Sequence, residues 1–102
     1  MTEIFWTETA SGELQEAVDY LIREAGIDTA LDVYHAVEGA VLRLATQPES
    51  CPVYAEPVRR LVIGDLPYSC FYEYRDETIV ILHIRHDKQL PLDARKESPH
   101  EA

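Results

Sequence analysis

The fold is decided by one stretch of the chain, RRLVIGDLPYSCFYEY at residues 59–74, followed by TIVILHIRH at residues 78–86. Later in the first segment, alternate residues of a β-strand would place Ser69, Phe71 and Glu73 on one face and Leu66, Tyr68, Cys70, Tyr72 and Tyr74 on the other. Gly64-Asp65 predicts a two-residue hairpin of type II′, because glycine accepts a positive φ at the first turn position. Residues 75–77 predict a second turn. The stretch therefore predicts three consecutive antiparallel strands.

Both faces of the last predicted strand are apolar. Its residues 79–84 include four aliphatic side chains in succession. A strand of this kind lies inside a sheet and is covered on both sides. In the preceding strand, Tyr68, Tyr72 and Tyr74 share a face and are predicted to pack in the core.

Two amphipathic helices precede the strands. Apolar residues recur at spacings of three and four in residues 14–25 and again in residues 33–45, the pattern of a helix with one buried stripe. Gly26 is predicted to cap the first helix. The second is predicted to begin at Asp28 or Thr29 and to end before Pro48. Residues 4–6 predict a short opening strand, and residues 47–57 predict a loop.

These elements predict a two-layer α+β fold of order β-α-α-β-β-β, with an antiparallel sheet packed against a helical hairpin. The 102 residues are expected to form a single domain spanning 1–102, a common domain size. From about residue 90 the chain is polar and charged, which predicts a tail outside the packed fold.

Composition narrows the classes of function. The net charge is −10, of which residues 1–57 carry −9, so general attraction to nucleic acid is not expected. No apolar run is long enough for a membrane helix, and no leader is recognised, so we expect a cytoplasmic protein without membrane contact. Cys51 and Cys70 are interpreted as ordinary thiols, and the four histidines lack metal-ligand spacing, so neither a metal nor a cofactor is expected.

The order of these motifs resembles the RelE/ParE superfamily of bacterial type II toxin–antitoxin toxins, and most closely its ParE-like branch, the plasmid stabilisation proteins. The resemblance runs from about residue 4 to residue 91. It rests on Arg59-Arg60-Leu61, on Leu66-Pro67-Tyr68 and on His86 after the last strand. It implies a small toxin that a cognate antitoxin neutralises in a hetero-oligomer.

The resemblance leaves three functions open. ParE-like members inhibit DNA gyrase by binding, and RelE-like members cut mRNA on the ribosome; a non-toxic binding module of the same fold is the third. Lys88 and Lys96 are the only lysines, whereas ribosome-dependent relatives carry several, so gyrase inhibition is favoured. Whether the protein is an enzyme stays open.

The predicted site gathers the cations of the strand-rich half. If the protein is a ribonuclease, Arg60, Arg85 and His86 are the candidate catalytic residues. The predicted target-binding residues are Arg59, Arg60, Tyr68, Arg85, His86 and Lys88. Arg85 and His86 are neighbours in a strand and should face different surroundings. One of the paired arginines is expected to bind an acidic neighbour such as Glu73.

Overall fold

A computed structural model describes residues 2–89 of the chain. Two helices pack against one face of a five-stranded sheet. The two-layer α+β prediction is confirmed, whereas the predicted polar tail lies outside the described residues. The elements are β1 (Glu3–Trp6), α1 (Glu8–Ala25), α2 (Ile27–Arg43), β2 (Val53–Ala55), β3 (Val58–Val62), β4 (Tyr68–Arg75), β5 (Thr78–His86) and a 3-10 turn at Asp87–Gln89.

The sheet has the order β1-β5-β4-β3-β2. The opening strand β1 pairs parallel to β5, and the other neighbours are antiparallel. The last strand therefore lies inside the sheet, as predicted from its apolar faces. Strand β2 falls in the segment predicted as a loop, so that prediction is wrong there. Its three residues stand between Pro52 and Pro57, and prolines normally interrupt a strand.

The two helices are joined by Gly26 alone. Thr7 is the N-cap of α1, and its side-chain oxygen accepts a hydrogen bond from the Ala10 amide, as threonine commonly does at this position. Gly26 has a φ of +97° and donates its amide to the carbonyls of Leu21 and Ile22. The predicted start of α2 at Asp28 or Thr29 is wrong: α2 begins at Ile27, because one glycine with a left-handed φ ends α1 and starts α2.

The connection from β3 to β4 is longer than predicted. A turn does centre on Gly64 and Asp65, since the Leu66 amide donates to the Ile63 carbonyl and Gly64 has a φ of +53°. The strands themselves end at Val62 and resume at Tyr68, so the two-residue hairpin prediction is wrong. Proline at position 67 has no amide hydrogen to continue the ladder.

The helix-side face of the sheet carries the main core. Cys70, Tyr72, Ile79 and Ile81 have 0 % exposed surface and pack with buried residues of both helices. A smaller cluster lies on the opposite side, where Phe71 is buried with Val58, Tyr54 and Leu82. We call that opposite side the open face, because the helices of the described chain do not contribute to its cluster.

A β-bulge interrupts the pairing of β4 with β5. Tyr72 lies opposite Ile81 and Phe71 lies opposite His83, so Leu82 has no directly opposing residue. A bulge of this kind bends the strand and changes the direction of the side chains that follow it. Two residues after the bulge, Arg85 and His86, belong to the predicted site.

Candidate functional site

The six predicted target-binding residues lie toward one end of the sheet, but they do not form one surface. The β3–β4 and β4–β5 registers bring their strand positions close together. Their side chains nevertheless have four different surroundings: the crossover loop, the open face, the side of α1, and a groove between α1 and the end of β5.

Arg59 contacts the crossover loop between the helices and the sheet. Its Nη1 donates to the carbonyl of Cys51 at 2.6 Å and to that of Glu49 at 3.2 Å. The Tyr72 hydroxyl, from the residue opposite Arg59 in β4, donates to the carbonyl of Pro48 at 2.8 Å. The two side chains together fasten residues 48–51 to the sheet. Arg59 therefore supports the fold through this loop.

Arg60 lies on the open face, above Phe71. Its Nε donates to Ser69 Oγ at 2.9 Å, and its Cζ is 6.0 Å from the Phe71 ring centroid. Its Nη2 is 3.8 Å from Asp87 Oδ1. Both members of that ion pair are exposed enough for the pair to contribute little to stability. The prediction that Glu73 would bind Arg59 or Arg60 is wrong, because Glu73 lies 3.4 Å from Arg75 instead.

Arg85 lies beside a carboxylate of α1. Its Nε is 3.3 Å from Glu13 Oε2, and the same oxygen is 3.3 Å from His83 Nδ1. The other oxygen, Oε1, accepts the Ile84 amide at 2.9 Å. His83 is buried. The Ile84 amide and His83 are thus hydrogen-bonded to one carboxylate, and Arg85 forms an ion pair with it.

Tyr68, His86 and Lys88 line a groove between α1 and the end of β5, together with Glu16 and Tyr20. The His86 and Tyr68 rings meet edge to face with centroids 5.1 Å apart. His86 Nδ1 accepts a hydrogen bond from the Lys88 amide at 3.0 Å, and the ring nitrogen Nε2 takes no part in that bond. Burial raises the pKa of Tyr68, so its hydroxyl is protonated at neutral pH. Arg85 and His86 have different surroundings, as predicted.

Carboxylates are interleaved with the cations throughout this end of the sheet. Glu13 and Glu16 line the groove that holds His86 and Lys88, and Asp87 stands beside Arg60. A phosphate entering here would meet a carboxylate beside Arg60, beside Arg85 and in the groove that holds Lys88. The local arrangement therefore suits contacts with a surface of mixed charge better than it suits a nucleic-acid backbone.

The thiols and possible metal ligands take no part in this site. Cys51 and Cys70 are both free, and burial raises the pKa of the Cys70 thiol, which keeps it protonated and unreactive. Within residues 2–89, no group of three or more histidine, cysteine or acidic side chains could hold a metal ion. Over the same residues, no helix combines the length and hydropathy of a membrane span.

Glu13, Ser69 and Asp87 belong to the site but were not predicted. The sequence does contain a signal for Glu13, which lies three residues after Ala10 and four before Ala17. That spacing places a carboxylate at the margin of the buried stripe of α1. An acidic residue there indicates a partner on the neighbouring element. Ser69 and Asp87 carry no comparable pattern.

Comparisons with known proteins define the class of this fold and site. The chain matches the family model described as the ParE toxin of the type II toxin–antitoxin system parDE over residues 4–91. It is similar to a solved chain of the chromosomal ParDE toxin–antitoxin system from P. aeruginosa, with 26 % identity and a TM-score of 0.74, covering 84 % of this chain and 96 % of that one. No curated protein sequence matched significantly.

The fold is thus that of the toxin component of a type II toxin–antitoxin system. Because the family model spans nearly all of the described chain, this protein belongs to the ParE toxin family.

Proposed function

We propose that the chain inhibits DNA gyrase by binding it, without chemistry of its own, and that a cognate antitoxin neutralises it in a hetero-oligomer. The supporting observation is that the candidate catalytic residues already have partners within the chain. Arg60 is bonded to Ser69 and Arg85 lies against Glu13. A ribonuclease would need such groups turned toward a scissile phosphate.

The binding residues in this proposal are Arg60 on the open face and Tyr68, His86 and Lys88 in the groove, at the same end of the sheet. Arg60 and Lys88 supply positive charge on an acidic chain, and Tyr68 and His86 supply an aromatic pair. Arginine and aromatic side chains are enriched at the centres of protein interfaces. Arg59 is left out, because its guanidinium is bonded to loop carbonyls.

A supercoiling assay with purified, antitoxin-free protein tests the proposal. Gyrase should lose supercoiling activity in proportion to the added protein, and the Arg60→Ala, Lys88→Ala double variant should be a weaker inhibitor. Arg75→Ala is the matched control, because Arg75 is exposed, paired with Glu73 and located at the other end of β4. Full supercoiling in the presence of active protein would contradict gyrase inhibition.

The two other functions are separate outcomes of related assays. Cleavage of translated mRNA, lost in an Arg60→Ala, Arg85→Ala, His86→Ala variant, would establish the RelE-like endonuclease instead. Normal growth after induction of the chain without antitoxin would establish a non-toxic binding module. Growth arrest with intact mRNA and inhibited gyrase is the combination that the proposal requires.

An apolar part of the open face is the proposed antitoxin contact. Phe5 is 58 % exposed and Val62 is 57 % exposed, on either side of the buried Phe71. Apolar groups of this size on a strand surface are favourable positions for a partner. Amide hydrogen exchange should slow in β1 and β3 when the antitoxin is added, and unchanged exchange there would contradict this location.

A further inference from the structure

We propose that His83, Arg85 and the Ile84 amide form an oxyanion site, which the chain occupies with the carboxylate of its own residue Glu13. This inference does not depend on gyrase being the target. The ligand that the site would bind in place of Glu13 is a phosphate-type oxyanion.

The donors converge as they would on a bound oxyanion. One carboxylate oxygen of Glu13 accepts the Ile84 amide at 2.9 Å, and the other lies 3.3 Å from both His83 Nδ1 and Arg85 Nε. A carboxylate only accepts hydrogen bonds, so Nδ1 of His83 carries its proton in this contact. A backbone amide, an imidazole and a guanidinium are the donors that proteins use for phosphate oxygens.

The site exists because β5 is longer than its parallel neighbour. Strand β1 ends at Trp6, opposite Ile81. The amide and the hydroxyl of Thr7 both donate to the Ile81 carbonyl, and the chain then enters α1. Beyond that point β5 has no strand on this side, and its next amides would lack a partner. Glu13 of α1 supplies an acceptor where a strand would otherwise lie.

Alternation along β5 places the two flanking side chains on the same face, and the bulge at Leu82 lies just before them. The bulge shifts the register immediately before His83, and His83 and Arg85 stand on either side of the Ile84 amide. The side chains of this cluster are mostly buried: 8 % of His83, 15 % of Arg85 and 21 % of the acceptor Glu13 are exposed. Water therefore screens the cluster little, and the tethered carboxylate excludes a competing anion.

In the whole chain, Glu13 thus acts as a specificity residue. While the Glu13 carboxylate fills the site, it occupies the positively charged and amide groups there, so a free phosphate or a nucleic-acid phosphate is excluded. This agrees with the acidic charge of the protein, because both features disfavour phosphate ligands at the sheet end.

The test measures binding of inorganic phosphate by the full chain. In Glu13→Ala, phosphate should produce a saturable NMR shift of the Ile84 amide, with affinity at least about tenfold above any binding by the wild-type chain. Glu16→Ala is the matched control, because Glu16 is an exposed carboxylate one helical turn further along α1. Its Ile84 amide should respond as the wild type does.

Further variants separate an oxyanion site from a purely structural contact. Glu13→Gln keeps an acceptor for the Ile84 amide and still fills the space, so it should not bind phosphate. Combining Glu13→Ala with Arg85→Ala should abolish the gained binding. A Glu13→Ala chain that folds but shows no saturable shift would overturn the proposal.

Thermal unfolding covers the case in which Glu13→Ala is barely folded. Phosphate should raise its melting temperature more than chloride of equal ionic strength does, and by more than it raises that of Glu16→Ala. Equal increases in both variants would overturn the proposal. A short single-stranded RNA, added in parallel, identifies the source: a shift of Ile84 with phosphate alone indicates the free ion, and a shift with both indicates a backbone phosphate.

Discussion

The two faces of the sheet differ in what holds their side chains. On the helix side, Tyr72 and Ile81 are completely buried, and the guanidinium of Arg59 is bonded to backbone carbonyls. On the open face, Val62 is 57 % exposed and Arg60 is held by a hydroxyl and a weak ion pair. The adjacent arginines therefore have different roles: one stabilises the fold, and the other is available to a partner.

The largest expected difference between the faces is at their apolar positions. Tyr72→Ala on the helix side should lower the free energy of unfolding by about 4 kcal/mol, because it removes a fully buried ring. Val62→Ala on the open face should change it by less than about 0.5 kcal/mol. Urea unfolding measures both, and Tyr72→Phe should cost about 1 kcal/mol for the lost bond to Pro48. Similar losses at Tyr72 and Val62 would contradict the comparison.

The arginine pair provides a smaller test of the same comparison. Arg59→Ala should lower the free energy of unfolding by about 2 kcal/mol, since two loop carbonyls lose a charged donor. Arg60→Ala should lower it by about 1 kcal/mol or less, because its ion pair is solvent-exposed. Chemical denaturation of the two variants measures the difference. A larger loss at Arg60 would reverse the assignment of roles.

The smallest effect is the dependence of stability on alkaline pH, which arises from the helix side alone. Burial raises the pKa of the Cys70 thiol above its ordinary value of 9.0. Below that pH the thiol is protonated in both states; above it, only the unfolded chain loses the proton, so stability falls as pH rises. The slope approaches about 1.4 kcal/mol per pH unit well above pH 9, and the loss between pH 9 and pH 10 is about 1 kcal/mol.

Cys70→Ala should remove that slope between pH 9 and pH 10. Burial also raises the pKa of Tyr72, whose ordinary value is 10.0, so this tyrosine contributes only at higher pH. Urea unfolding at several pH values compares the slopes of the variant and the wild-type chain. An unchanged slope in the variant would show that Cys70 is not the group responsible.

Most of the fold could be predicted from the sequence, because the helical stripes and the strand pattern are local signals. The β1–β5 pairing needed tertiary information, since a four-residue strand carries no mark of its partner. Strand β2 was hidden between prolines. The start of α2 was misplaced because Thr29 resembles a cap, whereas Gly26 serves both helices.

The site was predictable as a set of residues but not as a geometry. Arg59 and Arg60 lie on opposite faces of β3, and their partners, on the crossover loop and at Asp87, belong to other elements. Glu13 is separated from His83 by 70 positions. Contacts of that range depend on where β1 ends and on the bulge, and neither is encoded in a short pattern.

The bulge at Leu82 also determines which residues of β5 face the helices. Before it, the residues packed against the helices have odd numbers, Ile79 and Ile81; after it they have even numbers, Ile84 and His86. If the same sequence formed a regular ladder without the bulge, the alternation would continue unchanged past Ile81, and the environments of Arg85 and His86 would be exchanged. The bulge therefore decides which side chain faces the groove, and a single-codon deletion of Leu82 would give a regular ladder that still pairs His86 with Tyr68.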